Sequence, residues 1–429
     1  MRGRCCLALL LVALFAICIV GFGVCEDRYV DGISGDNNDD GSEGSPWRTI
    51  TYALNSVSAY AGSSNSVVIH VSEGTYSASA NGESFPLQMI SYVSLSGAGP
   101  EKTTLDAQNS AYHLIFCSNV TNLHIEGFLM TGGNANGSGE ANTCGGAIWC
   151  DRSSPVIRHN IITGNHADNS GGGLMIKFNT PIIYNNLIYN NSATYDGGGI
   201  GGYDGEPIIA NCTIANNTAD RWGDGISLGA PDATVTDCIF WGNGEDLSGF
   251  LEPVYSCVQD EAIMGEGNIH LDPKFTKGPL GDFYLDILSP CINAGSKTAE
   301  NAGLSELTTQ ADESLDTAEV DMGYHYNLSS TAPPTCTIIV TSPPDFFYNT
   351  ILLTWTPVEE ANHYYFEYSI GGGQAALEWG DTYLRLIAGD QPGWNGYVGL
   401  GTMYYRVSAM DASGKIIDGP TEWFPCTCY

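Results

Sequence analysis

The sequence predicts an all-β fold whose main part is a parallel β-helix, and three observations support this prediction. The stretch GGGLMIKFNTPIIYNNLIYNNSA, which begins at Gly171, returns 26 residues later as GGGIGGYDGEPIIANCTIANNTA. The alignment runs without a gap through four copies, with apolar columns such as Ile148, Leu174, Ile200 and Ile226. Within each copy the apolar residues form short runs that are broken by Gly, Pro and Asn, which is typical of short strands.

A repeat of this length cannot bury its own apolar side, so the copies must stack on one another. Three short strands per coil, separated by bends, give a parallel β-helix in which each coil adds about 4.8 Å. Residues of one column then lie directly above one another, and the columns that contain Ile157 and Ile162 form the interior. We expect about eight coils of this kind.

A column of asparagines runs through the same four copies and consists of Asn165, Asn191, Asn217 and Asn243. Asn tolerates left-handed backbone at a bend, and its side-chain amide can donate to and accept from the Asn one coil above. The column therefore predicts a ladder of hydrogen-bonded asparagines at a bend. Glycosylated or sugar-binding asparagines are the alternative interpretation.

The ends of the chain differ in composition from the repeat. Two Arg and then 21 uncharged residues, Cys5 to Cys25, have the layout of a secretory signal, with an uncleaved N-terminal anchor as the alternative. We therefore expect a secreted or cell-surface protein. The predicted parts are the signal peptide 1–25, a cap region 26–65 that contains a helix near 49–60, the β-helix 66–326, a linker 327–335 and a second domain 336–429.

The charge balance excludes some classes of partner. Against 48 Asp and Glu the chain has only 15 Lys and Arg, for a formal net charge of -33. Nucleic acids and anionic membranes need basic patches, so neither is expected as a partner. An acidic polysaccharide would be repelled unless a cation bridged the two charges. We expect a monomer.

Several cysteines are placed where pairs can form. Cys212 and Cys238 are 26 residues apart, which puts one above the other. Parallel Cβ vectors about 4.8 Å apart are poorly suited to a disulfide, so a stacked pair of buried thiols is expected. Near the C-terminus, Cys336 could form a disulfide with Cys426 or Cys428.

Motifs at both ends of the repeat carry a family resemblance. The opening stretch YVDGISGDNNDDGSEGSPWRTITYAL and the closing stretches LSPCINAGS and VDMGYHY resemble secreted right-handed parallel β-helix proteins of the pectate-lyase-like superfamily. This resemblance implies a right-handed helix and a role at polysaccharide, although the superfamily contains lyases, hydrolases, epimerases and non-catalytic surface proteins. The later stretches YYFEYSI and TMYYRVSAMD resemble a fibronectin type III β-sandwich.

The resemblance directs attention to the few basic residues. A polysaccharide lyase of this superfamily needs a cation, usually calcium held by carboxylates, and a Lys or Arg that removes a proton. The candidate bases are Lys177, Arg152 and Arg221, and the candidate substrate-binding residues are Asp151, Tyr203, Asp204, Glu206, Asp220, Trp222 and Asp224. The alternatives are an incidental surface ion pair around Lys177 and a Trp222 that merely caps its loop.

A calcium site is a further candidate in the opening module. Asp36, Asn38 and Asp40 have the spacing of the first half of an EF-hand loop, with Gly41 at the sixth position. The twelfth position is Trp47, where that loop needs a bidentate Glu. A solvated turn is the alternative.

These observations predict an exported β-helix protein that binds extracellular or cell-surface polysaccharide without catalysis. The alternative is a calcium-dependent, pectate-type polysaccharide lyase that uses a Lys or Arg base.

Overall fold

The computed structural model describes residues 24–230, 232–249 and 251–328, and beyond them the backbone of strands between Thr337 and Cys428. All but two residues of the predicted signal peptide lie outside the described residues. The chain divides into two compact units, Met1–Leu328 and Ser329–Tyr429.

The first unit is a parallel β-helix, as predicted, and its described residues form three long sheets. Sheet A has eight strands: β1 (Val24–Val30), β2 (Asn65–Val71), β5 (Val93–Gly97), β8 (His124–Glu126), β11 (Val156–Arg158), β15 (Ile182–Tyr184), β19 (Ile208–Ala210) and β23 (Thr234–Thr236). Each strand pairs in parallel with the strand one coil later, so the stack has eight levels in sheet A.

The chain passes from sheet A to sheet B and then to sheet C in each coil. Sheet B contains β3 (Gly74–Tyr76), β6 (Thr103–Ala111), β9 (Leu129–Ala135), β12 (Ile161–Thr163), β16 (Leu187–Tyr189), β20 (Thr213–Ala215), β24 (Ile239–Trp241) and β26 (Cys257–Val258), with a branch of β13 (His166–Ala167), β17 (Ser192–Ala193) and β21 (Thr218–Ala219). Sheet C contains β4 (Leu87–Gln88), β7 (Ile115–Ser118), β10 (Ile148–Asp151), β14 (Leu174–Asn179), β18 (Ile200–Gly205), β22 (Ile226–Gly229) and β25 (Leu247–Gly249).

The predicted apolar columns are confirmed and form the interior. Leu174 pairs with Ile148 on one side and with Ile200 on the other. The columns that contain Ile157 and Ile162 pair in the same 26-residue register. All five of these side chains are almost completely buried in one continuous core.

The asparagine ladder is also confirmed. The backbone N–H and the Nδ2 of Asn165 both donate to Oδ1 of Asn191, at 3.1 and 3.0 Å. Asn191 donates in the same way to Asn217, and Asn217 to Asn243. The last amide donates to the Asp246 carboxylate at 3.0 Å, so an acidic side chain ends the ladder.

The prediction that the ladder asparagines have left-handed backbone is wrong. The left-handed residue is the one before each of them, with φ of 54° at both Asn190 and Asn216 and glycine at 164 and 242. The residue with left-handed backbone turns the chain and points outward, and the next residue points inward and forms the ladder hydrogen bonds. At Asn190–Asn191 and Asn216–Asn217 two neighbouring asparagines therefore fill the two roles that were predicted for one.

A second polar column was not predicted and changes residue type along the stack. Asn160 donates its backbone N–H to Oδ1 of Asn186 at 3.1 Å, and Asn186 donates to Sγ of Cys212 at 3.4 Å. Cys238 follows Cys212 one coil later, and both are buried free thiols. The expected pair of buried thiols is therefore confirmed, and it continues an asparagine column.

The N-terminal helix is present as α1 (Ile50–Val57), within the predicted cap region. Thr49 accepts a hydrogen bond from the backbone of Tyr52, and Glu83 accepts from the N–H groups of Ile50 and Thr51 at 2.7 and 3.0 Å. A carboxylate at a helix N-terminus is the favourable arrangement. Strand β1 lies before this helix and belongs to sheet A, so the β-helix begins earlier than residue 66.

The closing part differs from the predicted continuation of the coils to 326. The stacked strands end at β26, and an antiparallel hairpin, β27 (Phe275–Gly278) with β28 (Gly281–Leu285), and a short helix, α2 (Ala299–Ala302), follow. The VDMGYHY stretch then runs back along the outside of the coils. His325 donates its N–H to Asn185 at 2.7 Å, and Gly323 donates to the carbonyl of Asp237 at 2.9 Å.

The described strands of the second unit form two antiparallel sheets. One contains β29 (Thr337–Thr341), β30 (Asn349–Thr354) and β33 (Gly393–Val398), and the other β31 (His363–Ile370), β32 (Thr382–Ala388), β34 (Gly401–Met410), β35 (Ile416–Asp418) and β36 (Phe424–Cys428). The likeness to a fibronectin type III domain stays a prediction. Cys336, of the proposed C-terminal disulfide, lies outside the described residues.

The ladder gives a stability prediction. Asn191→Ala removes the partner of the Asn165 N–H and of two carbonyls, Ile162 and Tyr189, all inside the stack. Each orphaned buried group costs about 1–3 kcal/mol, so the loss of three partners should lower the free energy of unfolding in urea titrations by roughly 3 kcal/mol or more. The exposed neighbour supplies the control, because Asn190→Gly suits a left-handed position and should change it by less than about 0.5 kcal/mol. Equal losses would contradict the ladder.

Candidate functional site

The outer face of sheet C carries the first group of predicted site residues. Cys150 points into the core, so its strand neighbours Trp149 and Asp151 point outward. The register stacks Asp151, Lys177 and Tyr203 in one column on consecutive coils. Since consecutive coils are about 4.8 Å apart, the structure brings these three predicted residues together.

An insertion in the repeat covers part of this face. Twelve residues, 136–147, lie between Ala135 and Ile148, whereas six lie between Ala167 and Leu174 one coil later. This insertion loop contains a short 3-10 helix, Glu140–Asn142. The loop is therefore where the coil departs most from its neighbours.

His113 anchors the insertion loop to the coil before it. Its Nδ1 lies 2.8 Å from the carbonyl oxygen of Gly145, and its Nε2 lies 2.5 Å from that of Ala141. Burial lowers the pKa of His113 below its ordinary value, against the effect of these two carbonyls. Trp149 is buried beneath the loop with Cys144, so the loop folds back onto the sheet.

Lys177 lies at the centre of the covered area. Its Nζ donates to the Glu140 carboxylate at 2.8 Å, and the Tyr203 hydroxyl donates to the other oxygen of that carboxylate at 2.5 Å. The ammonium group also lies over three aromatic rings, 5.0 Å from Trp149, 5.7 Å from Phe178 and 5.1 Å from Tyr203. Its side chain is only 9% exposed. The cation is thus enclosed by aromatic rings and one carboxylate.

These contacts keep both partners charged. Burial alone would lower the pKa of Lys177, but the hydrogen bonds and the charge of Glu140 raise it above its ordinary value. Burial alone would raise the pKa of Glu140, but the hydrogen bonds from Lys177 and Tyr203 lower it. Burial and the bond to Glu140 raise the pKa of Tyr203, so its hydroxyl remains a donor.

A second column borders this cluster at the end of the sheet C strands. Arg152, Phe178 and Asp204 follow one another at 26-residue intervals, and all three have left-handed backbone, with φ of 49°, 52° and 53°. Left-handed backbone marks a bend of the coil here, as it does at Asn190 and Asn216. Arg152 donates to Asp151 at 2.8 Å and lies 5.1 Å from the Phe178 ring, which is 45% exposed. Glu206 is exposed nearby in sequence and has no partner among the described residues.

The second predicted cluster lies at the other end of the same strands, on the bends that lead into them. Trp222 is 54% exposed and Tyr195, one coil earlier, is 44% exposed. Arg221 lies 5.4 Å above the Tyr195 ring. The bend is fixed by glycines with positive φ, including Gly197 and Gly223, where a Cβ would meet the carbonyl oxygen of the following strand. The GGG stretches are therefore required by the backbone.

The acidic residues of these bends differ in what they contact. Asp224 accepts from the backbone N–H groups of Ala219 and Glu245 at 2.6 and 2.8 Å, so it holds the bend together. Asp220 is exposed, and Asp168 contacts the ring of His166 at 3.2 Å. Asp224 and Asp220 were both predicted to bind a ligand. Both oxygens of Asp224 accept backbone hydrogen bonds of the bend, whereas Asp220 is exposed.

The sequence analysis did not identify the site residues that have no counterpart in the 26-residue repeat. Glu140 belongs to the insertion loop and has no equivalent in the next coils, and Trp149 is replaced by Met175 and then by Gly201. The one signal that could have found Glu140 was the extra length of this coil, because a loop inserted at a bend must lie over a neighbouring face.

The side chains of the candidate calcium loop form hydrogen bonds with groups of the same loop. Asp36 accepts from the N–H and the side-chain amide of Asn38 at 3.0 and 2.8 Å, and Asp40 accepts from the N–H of Ser42 at 3.0 Å. Trp47 donates its indole N–H to a carbonyl of the loop at 2.8 Å. Calcium binding by Asp36, Asn38 and Asp40 stays a prediction.

The described residues contain neither a cluster of metal-ligating side chains nor a helix that could cross a membrane. No three His, Cys, Asp or Glu side chains in this part of the chain lie close enough together to hold a metal ion. Among the helices that the structure describes, none is both long enough and apolar enough to cross a bilayer.

Comparisons with known proteins agree with the fold and leave the activity open. The family described as "Protein of unknown function (DUF1565)" matches residues 33–245, which contain most of the stacked coils. No curated protein and no solved structure matches the chain.

The Lys177–Glu140 pair should stabilise the fold over a defined pH range. The lowered pKa of Glu140 means that its contribution is present above about pH 4.3, the ordinary value, and is lost as the pH falls through the lowered value. Because Glu140 is partly exposed, we expect Glu140→Gln to lower the free energy of unfolding by at most about 1 kcal/mol at pH 7 and by less at pH 3. Urea titrations at the two pH values measure this difference. Glu206→Gln, which breaks no ion pair, should show no such dependence, and the same dependence in both variants would contradict the assignment.

Proposed function

We propose that the first unit binds extracellular or cell-surface polysaccharide along the outer face of sheet C and its bends, without catalysis. One observation carries this proposal: three aromatic side chains, Phe178, Tyr195 and Trp222, are about half exposed at the two ends of neighbouring sheet C strands. Large exposed aromatic side chains that the fold does not bury are typical of binding surfaces.

Sugars combine apolar ring faces with polar hydroxyl groups, and this surface offers partners for both. The ring faces can pack on the exposed aromatic rings, which are large and rigid apolar surfaces. The hydroxyl groups can donate to exposed carboxylates such as Asp204, Glu206 and Asp220. The coils repeat these positions about every 4.8 Å along the stack, so an extended polymer can lie along several coils.

The geometry of the basic residues supports binding more than the lyase alternative. A general base must be unprotonated when it accepts a proton. Lys177 is held as an ammonium group by Glu140, and its pKa is raised. Arg152 is paired with Asp151, and a guanidinium group is in general a poor proton acceptor. None of the three candidate bases is placed to accept one.

Export, calcium and membership of the pectate-lyase-like superfamily belong to the proposal as further expectations. A secreted or surface location would bring the face into contact with glycans. Calcium at the Asp36, Asn38 and Asp40 loop would act on the N-terminal module, so glycan retention should be measured with calcium and with a chelator.

The binding proposal predicts the effect of removing the exposed rings. Trp222→Ala and Tyr195→Ala should each weaken retention on the bound glycan by about tenfold, because a lost aromatic contact of about 1.4 kcal/mol corresponds to that factor. Affinity electrophoresis through gels that contain single polysaccharides measures it. The control is Tyr60→Ala, since Tyr60 is 40% exposed but lies beyond the helix α1, and should leave retention unchanged.

An activity assay separates binding from cleavage. When the protein is incubated with polyuronates and the ultraviolet absorbance of the mixture is measured, no unsaturated product should appear. Product that disappears in Lys177→Ala or Arg221→Ala would establish the lyase instead. Loss of retention in Tyr60→Ala as large as in Trp222→Ala would contradict the assigned face.

A further inference from the structure

Two of the three cations of the proposed face are paired with carboxylates, and the remaining carboxylates leave the face negative. Between residues 140 and 224 the face and its bends carry eight carboxylates and three cations: Glu140, Asp151, Asp168, Asp196, Asp204, Glu206, Asp220 and Asp224 against Arg152, Lys177 and Arg221. Lys177 is paired with Glu140 and Arg152 with Asp151, both at 2.8 Å. Arg221 lies over Tyr195 on a bend that also carries Asp196 and Asp220.

This distribution decides which class of glycan the face can accept. Charges about 8 Å apart or less interact at physiological salt, so the carboxylates of a polyuronate would be repelled by those of the face. A neutral glycan has no such cost, and its hydroxyl groups can donate to the same carboxylates. The central cation could attract an acidic sugar, but it already has a carboxylate as its partner.

Resting on the proposed function, we propose that the ligand is a neutral polysaccharide and that Glu140 is the specificity-determining residue that excludes acidic ones. Glu140 occupies the position on Lys177 and Tyr203 that an acidic sugar's carboxylate would need. It is supplied by a loop that the neighbouring coils lack, so the site is closed to anions by an insertion and not by the repeated scaffold. Specificity of this kind arises when an unfavourable partner is repelled as well as when a favourable one is bound.

The enclosure of Lys177 makes Glu140 effective in this role. The ammonium group lies among Trp149, Phe178 and Tyr203, and only 9% of the side chain is exposed. An acidic ligand must therefore displace Glu140 to reach the cation, and the exchange of one carboxylate for another gains little. Glu140→Gln leaves Lys177 without a carboxylate partner, and the Tyr203 hydroxyl then contacts a neutral amide in place of a carboxylate.

The test compares retention on neutral polymers (β-glucan, xylan, mannan and galactan) with retention on polygalacturonate and alginate, in chelator and at low salt. The full-length wild-type chain should be retained by a neutral polymer and by neither acidic one. Glu140→Gln should gain about fivefold or more in retention on an acidic polymer, and 0.5 M NaCl should abolish the gain because it comes from one charge pair. Glu206→Gln removes the same charge from the same face without touching Lys177, so it relieves only general repulsion and should gain clearly less than Glu140→Gln.

A double variant, Glu140→Gln with Lys177→Met, shows whether the gain in retention on acidic polymers comes from the unpaired Lys177 ammonium group. This variant should not show the gain. The proposal is overturned if the wild type prefers an acidic polymer in chelator, if Glu140→Gln gains nothing, or if the double variant keeps the gain. Should the wild type bind no glycan at all, the proposed function fails by itself. The role of Glu140 is then still tested by polygalacturonate. A salt-sensitive gain in Glu140→Gln that is lost in the double variant supports the role, and the absence of that gain overturns it.

Discussion

The β-helix depends on one constraint: every bend that carries the chain from one sheet to the next must have its backbone polar groups satisfied by the coil above or below. Buried and unpaired N–H and C=O groups would cost about 1–3 kcal/mol each. The Asn165 to Asn243 ladder meets this requirement at one bend, and the column from Asn160 to Cys238 meets it at another. Where consecutive coils keep the 26-residue length, these contacts repeat in register from one coil to the next.

The proposed site follows from a bend whose length does change, the insertion loop between Ala135 and Ile148. The insertion loop keeps the ladder intact, because the Gly133 N–H donates to the Asn165 side chain at 2.9 Å before the chain leaves the stack. The loop can then lie over sheet C and place Glu140 against Lys177. Residues that repeat thus build the stack, and residues that differ between coils, such as Tyr203 and Trp222, lie on its outer face.

Much of the stack could be predicted from the sequence because each column repeats a residue type at a constant interval. The Ile columns, the asparagine ladder and the Cys212–Cys238 pair were all expected for this reason. The left-handed residue was assigned one position too late, because in two of the four coils it is an asparagine directly before the ladder asparagine, and the period alone does not distinguish them. Glu140 was missed because it belongs to no column, and its contact with Lys177 depends on how the inserted loop folds back.

The proposed function requires that the surface of sheet C and its bends, and not the buried stack, contact the glycan. Fluorine nuclear magnetic resonance of the chain labelled with 5-fluorotryptophan tests this most directly, because eight tryptophans give separate probes and Trp222→Phe assigns one signal. Addition of the retained neutral glycan should shift the Trp222 signal and leave the buried Trp47 unchanged. A shift confined to other tryptophans, with Trp222 unaffected, would contradict the account.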